Sequence, residues 1–74
     1  MILAYAVEKH IIIALDKKAK HLKVRIKDEK DREIRSCDFF DTDFKNIDLD
    51  IDKGFVTIEL NIDGEVTERK VYVS

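Results

Sequence analysis

Lys23, Arg25 and Lys27 recur at every second position, a spacing that lines three cations along one face of an extended strand. The chemistry this suits is contact with nucleic-acid phosphates. Three such contacts to a single strand imply a salt slope of about −2. The same stripe also serves as the polar face of an edge strand, where lysines discourage aggregation. A second set is acidic: Asp48, Asp50 and Asp52, followed by Glu59, stand at the first, third, fifth and twelfth positions of a calcium loop. Lys53 occupies the sixth position, where the sharp turn takes glycine, and Gly54 comes one place late. Alternate aspartates on the wet face of a strand account for the pattern better, and they read as a contact face for a protein partner.

Catalytic constellations are poorly served. Cys37 with His10 or His21 has the atoms for a nucleophile–base pair, but neither a glycine-rich elbow nor a helix start accompanies it. Cysteine commonly sits buried as a small apolar residue, and two distant histidines with one cysteine make a poor zinc set. Acid–base work needs one carboxyl of a pair in a desolvated pocket, which a chain of 74 residues has little room to build. Neither glycine has a second nearby to form a phosphate-cradling loop. The expectation is a non-enzymatic binding module without a cofactor or small-molecule substrate. Phe39, Phe40 and Phe44 read first as core, and otherwise as a surface on which bases stack.

The elements that would position these residues are mainly strands. Leu22, Val24 and Ile26 alternate with the cations, giving one apolar and one cationic face. Ile47, Leu49 and Ile51 alternate with the aspartates, and Val56, Ile58, Leu60 and Ile62 with Phe55, Thr57, Glu59 and Asn61. Asp52-Lys53-Gly54 and Asp63-Gly64 mark turns, the latter a type I′ hairpin signature. The C-terminal half therefore reads as a three-stranded meander over 46–52, 55–62 and 65–73. Val66 is out of phase with Val71 and Val73, which calls for a bulge near Arg69-Lys70. Residues 33–40 read as a strand pairing with 22–27 across the charged turn 28–31. Residues 2–7 favour a strand. Over 9–20 a helical stripe (Ile11, Ile12, Leu15, Ala19, Leu22) competes with the β-branched run Ile11-Ile12-Ile13. The fold class expected is mainly β: a small antiparallel sheet curled into a partly closed barrel of SH3 or Sm-like size, with room for one short N-terminal helix.

The charges are unevenly spread along a single domain, 1–74. Residues 1–35 carry ten basic and six acidic side chains, residues 36–74 four and ten, so a net charge of −2 conceals a +4/−6 split. Such polarity steers partners. One cysteine forms no disulfide within the chain and suits a reducing interior, so a cytoplasmic location is expected. Met1–Val7 is too short an apolar run to span a membrane. A core this small seldom supplies more than about 3–5 kcal/mol, which makes a homo-oligomer the expected remedy.

From residue 22 onward the chain resembles the Sm-like (Lsm) proteins, five-stranded barrels that open with a short helix, form rings and bind RNA. Val24-Arg25-Ile26-Lys27-Asp28 resembles their first strand and Arg32-Glu33-Ile34-Arg35 the second. Phe40-Asp41 followed by Asn46-Ile47-Asp48-Leu49 looks like their RNA-contacting loop and third strand, and Val71-Tyr72-Val73-Ser74 like the last. The chain departs from that pattern at Ser36, where the family has glycine, and at Arg69-Lys70, which lacks the glycine of an Arg-Gly pair. Asp16-Lys17-Lys18-Ala19, Leu22–Ile26 and Asp50–Gly54 also resemble a short bacterial domain of unassigned function. The Sm-like resemblance implies an RNA site in which Lys23, Arg25 and Lys27 touch phosphate, Phe44 stacks, and Asp41 and Asn46 read a base edge. The alternative is a protein-interaction module, such as a small inhibitor or adaptor of a phage or other mobile element, working through Asp48, Asp50 and Asp52.

Overall fold

A computed structural model describes residues 1–74. Five strands follow in order: β1 (Ile2–Val7), β2 (His10–Lys27), β3 (Glu33–Asp48), β4 (Gly54–Ile62) and β5 (Glu65–Val73). All pair antiparallel, and together they form a curled half-barrel. The chain forms no helix, so none is long and apolar enough to cross a membrane. The competition over 9–20 is settled for strand, and the short N-terminal helix of the expectation does not form.

β2 organises the molecule. Its first half pairs with β1 (Ile2↔Leu15 through Val7↔His10), and its second half pairs with β4 (Leu22↔Ile62 through Lys27↔Thr57). β3 runs along the whole of the opposite edge, from Lys27↔Glu33 to His10↔Asp48. Between Ala14↔Phe44 and Ala19↔Thr42, residues 15–18 of β2 stand opposite Asp43 alone, while Asp41 adopts a left-handed φ of 51°. This bulge turns both strands through a corner. Arg35 and Asp48, 13 residues apart on β3, meet again through a 2.8 Å bond from Nη1 to the main-chain carbonyl. An extended strand of that length would separate them by about 43 Å, so β3 folds back on itself.

The result is two walls. A four-strand wall runs β5-β4-β2-β3, using residues 22–27 of β2 and 33–39 of β3. A three-strand wall runs β1-β2-β3, using residues 10–15 and 44–48. One core lies between them: Ile11, Ile13 and Ile47 from the second wall, Leu22, Val24, Ile26, Val56, Ile58, Leu60 and Val73 from the first, and Ala19 at the corner. β1 and β5 approach where Ser74 donates to the Glu8 carbonyl at 3.2 Å, without forming a ladder.

Three sequence readings are corrected. The strand expected over 46–52 ends at Asp48, is continuous with the one expected over 33–40, and pairs with β2 rather than β4. β2 begins at His10 and offers no partner beyond Asp48. Leu49 still donates to the Lys9 carbonyl at 2.8 Å, after which residues 50–53 swing the chain across to begin β4. No bulge interrupts β5, whose pairing runs unbroken from Ile62↔Glu65 to Gly54↔Val73. Val66 faces outward with Glu68, Lys70 and Tyr72, so no register shift is needed to bury it. The Asp63-Gly64 turn forms as its sequence implies, with φ of 50° and 96°.

Candidate functional site

The outward face of the four-strand wall holds the cationic stripe. Leu22, Val24 and Ile26 point into the core, which leaves Lys23, Arg25 and Lys27 outside. β2 is a central strand here, flanked by β3 and β4, and not the edge strand its lysines suggest. Its neighbours bring carboxylates. Arg25 Nε donates to Glu33 at 2.7 Å and Nη1 to Glu59 at 3.3 Å. The Glu33 hydrogen bond, then the Glu59 charge, hold the guanidinium above its ordinary pKa. Lys27 lies 3.9 Å from Glu59 and 3.8 Å from Asp31. His21 extends the row, its Nε2 at 2.7 Å from Asp38 and its ring stacked on Phe40 at 5.0 Å. Lys23 alone of the stripe stands without an ion pair. Most of the positive charge is thus balanced within the wall.

The outward face of the three-strand wall is built differently. Leu3, Tyr5 and Val7 stand on β1, Ile12 and Ala14 on β2 and Phe44 on β3, joined by the cross-strand pairs Leu3↔Ala14, Tyr5↔Ile12 and Ala14↔Phe44. Polar residues gather at its ends, with Asp16 and the Met1 ammonium 2.8 Å apart at one and His10, Asn46 and Asp48 at the other. His10 Nδ1 contacts Asp48 Oδ1 at 2.6 Å and Asn46 Oδ1 at 3.0 Å. Both partners are acceptors, so Nδ1 carries the proton. Sequence reasoning missed this face, although the outward members of β1 were readable once 2–7 is a strand.

The residues assigned to an RNA site do not converge. Lys23, Arg25 and Lys27 belong to the four-strand wall, Phe44 and Asn46 to the three-strand wall, and Asp41 to the corner between. Phe39 is half-buried against the core, whereas Phe40 and Phe44 are exposed. The acidic set is split as well: Asp48 closes β3, while Asp50 and Asp52 lie in the loop before β4. That loop and the turn after β2 border an open cleft of about 580 Å³, lined by Lys30, Arg32, Asp50, Asp52 and Lys53. Its charges are mixed. No group of three or more His, Cys, Asp or Glu side chains is arranged to hold a metal ion. Cys37 is half-buried on β3, opposite Val24.

Acidic side chains stitch the turns. Asp28 accepts main-chain N–H bonds from Lys30 and Arg32, each at 2.9 Å, and Arg32 Nε at 2.9 Å. Asp63 accepts from the main chain of His21 at 2.9 Å and Lys20 at 3.3 Å. The Arg32 and His21 amides respectively are the chief reason both carboxyls sit below their ordinary pKa. No protein-family model matches the chain, and no curated protein matches it.

Proposed function

We propose that this protein is a small non-enzymatic protein-interaction module that makes its contact through the outward face of the three-strand wall. The observation that carries the reading is the unbroken apolar surface of Leu3, Tyr5, Val7, Ile12, Ala14 and Phe44 across three neighbouring strands. Contiguous exposed apolar surface rimmed by polar groups marks docking sites on soluble proteins, and half-exposed aromatics are the anchors that interfaces favour. The paired carboxylates around Arg25 and Lys27 weigh against phosphate as the ligand of the other wall, because a phosphate must first displace Glu33 and Glu59. Asp48 borders this contact, while Asp50 and Asp52 lie apart from it in the loop before β4.

A photo-crosslinking side chain in place of Ile12, compared with one in place of Glu68 on the other wall, tests the reading in the native cell. Protein adducts at position 12 and none at 68 are expected. RNA belongs to the opposite outcome. Single-stranded RNA binding with a salt slope of about −2, abolished by Lys23→Glu, Arg25→Glu and Lys27→Glu together and unaffected by Phe44→Glu, overturns it. So does an absence of protein adducts at position 12.

A further inference from the structure

We infer that the partner on this face is a second copy of the chain, so that two molecules associate face to face about a two-fold axis. The inference rests on the reading of the apolar face given above and names its occupant. Three properties of the face carry it: exposure, charge and area.

Tyr5 is 46% exposed, Leu3 49%, Val7 52% and Phe44 55%. These are large side chains on a regular sheet, held by cross-strand neighbours rather than by a loop, so they form a surface already in its binding shape. Two-fold pairing brings each residue in twice. Tyr5 and Phe44 from both copies then supply four aromatic anchors to one interface.

Charge makes the face self-complementary. The outward side of the wall carries two acidic groups, and each is held within the same chain: Asp48 by His10 at 2.6 Å and, at the opposite end, Asp16 by the Met1 ammonium at 2.8 Å. An identical face can be laid on it without like charges meeting across the centre.

Area sets the strength. Three strands at about 4.8 Å spacing and six residues at about 3.3 Å rise cover roughly 300 Å² in plan. Stable interfaces bury about 800 Å² per partner, so the association is reversible and weak. Weak pairing is still useful to so small a chain. Its core holds 12 buried residues, its single cysteine forms no internal disulfide, and no cluster of metal ligands staples it. Self-association is the remaining means by which such domains add buried surface.

Sedimentation equilibrium on the full chain, from about 5 to about 500 μM, tests this. The expected mass rises from 8.7 kDa toward twice that value with increasing concentration. Tyr5→Glu with Phe44→Glu weakens the association at least tenfold, while far-UV circular dichroism stays unchanged. Phe40→Glu, on the exposed surface of the other wall, leaves it as it was. A monomer throughout the range overturns the inference, as does an association that survives the double variant or falls equally with Phe40→Glu. A monomer that still crosslinks to other proteins through position 12 removes the second copy and leaves the interaction module standing. A monomer with no adducts at position 12 removes both.

Discussion

The two walls share β2 and β3 and one core, yet their outward faces differ in kind. On the four-strand wall Lys23, Arg25 and Lys27 alternate along β2, and Arg25 and Lys27 meet carboxylates on β3 or β4. On the three-strand wall the corresponding positions of the same strand are Ile12 and Ala14, with Leu3, Tyr5, Val7 and Phe44 beside them. The difference shows where an unfilled requirement lies. Ion pairs on the first face satisfy one another within the chain. Apolar groups on the second lie side by side against water, where only another molecule can cover them, whereas on the first the exposed Phe40, Phe55, Val66 and Tyr72 share the face with ion pairs.

The strongest test of that contrast begins underneath it. If the walls differ only outside, their inner faces should be equivalent in a single cooperative core. Ile13, beneath the three-strand wall, and Ile58, beneath the four-strand wall, are both fully buried. Replacing either by Ala costs about 2–5 kcal/mol, and denaturant titration should show one transition in each case. A variant of Ile13 that melts β1 alone would mean that the walls fold separately. The next effect is outward and opposite in the two walls. Arg25→Glu sets a third carboxylate beside Glu33 and Glu59 and should lower the unfolding midpoint clearly. Tyr5→Glu, which faces water, should stay within about 0.5 kcal/mol while improving solubility. Equal losses from both would erase the distinction.

The same contrast explains what could be read from the residues in order. The alternation of 22–27 and 55–62 was legible because each strand has one wet and one dry face, and Asp63-Gly64 announced its turn. Residues 9–20 were ambiguous for the reason that makes the second face interesting. Ile12 and Ala14 are apolar on the outward side, so the period of two disappears into the run Ile11-Ile12-Ile13-Ala14 and a helical stripe fits equally well. The aspartates misled in the other direction. Ile47, Leu49 and Ile51 keep the strand period past Asp48, but a strand lasts only as long as its partner, and β2 starts at His10. The neutralised stripe was invisible for a third reason. The partners of Arg25 lie 8 and 34 residues away, and only the cross-strand register brings them together.

The smallest expected effect separates the walls by acid. Asp28 and Asp63 fasten the ends of the four-strand wall through main-chain amides, whereas Asp16 belongs to the three-strand wall and holds the Met1 ammonium at 2.8 Å. All three carboxyls are lowered in the folded chain, Asp16 chiefly by its hydrogen bond to that ammonium. A lowered carboxyl gives stability that is present above its unfolded value of about 3.9 and is lost as pH falls through its folded value. Stability contributed by these groups should therefore hold from neutrality down to about pH 4 and decline below it. Asp63→Asn and Asp28→Asn should flatten that decline and lower stability at pH 7. Asp16→Asn should do little at ordinary ionic strength, because both members of its pair are exposed and salt screens them. Thermal melts between pH 2.5 and 7, at low and high salt, distinguish the two cases. The Asp63 effect should persist in salt, since its partners are fixed amides, while any Asp16 effect should fade. Equal, salt-sensitive losses in all three variants would trace the acid response to net charge instead of to the turns that fasten the four-strand wall.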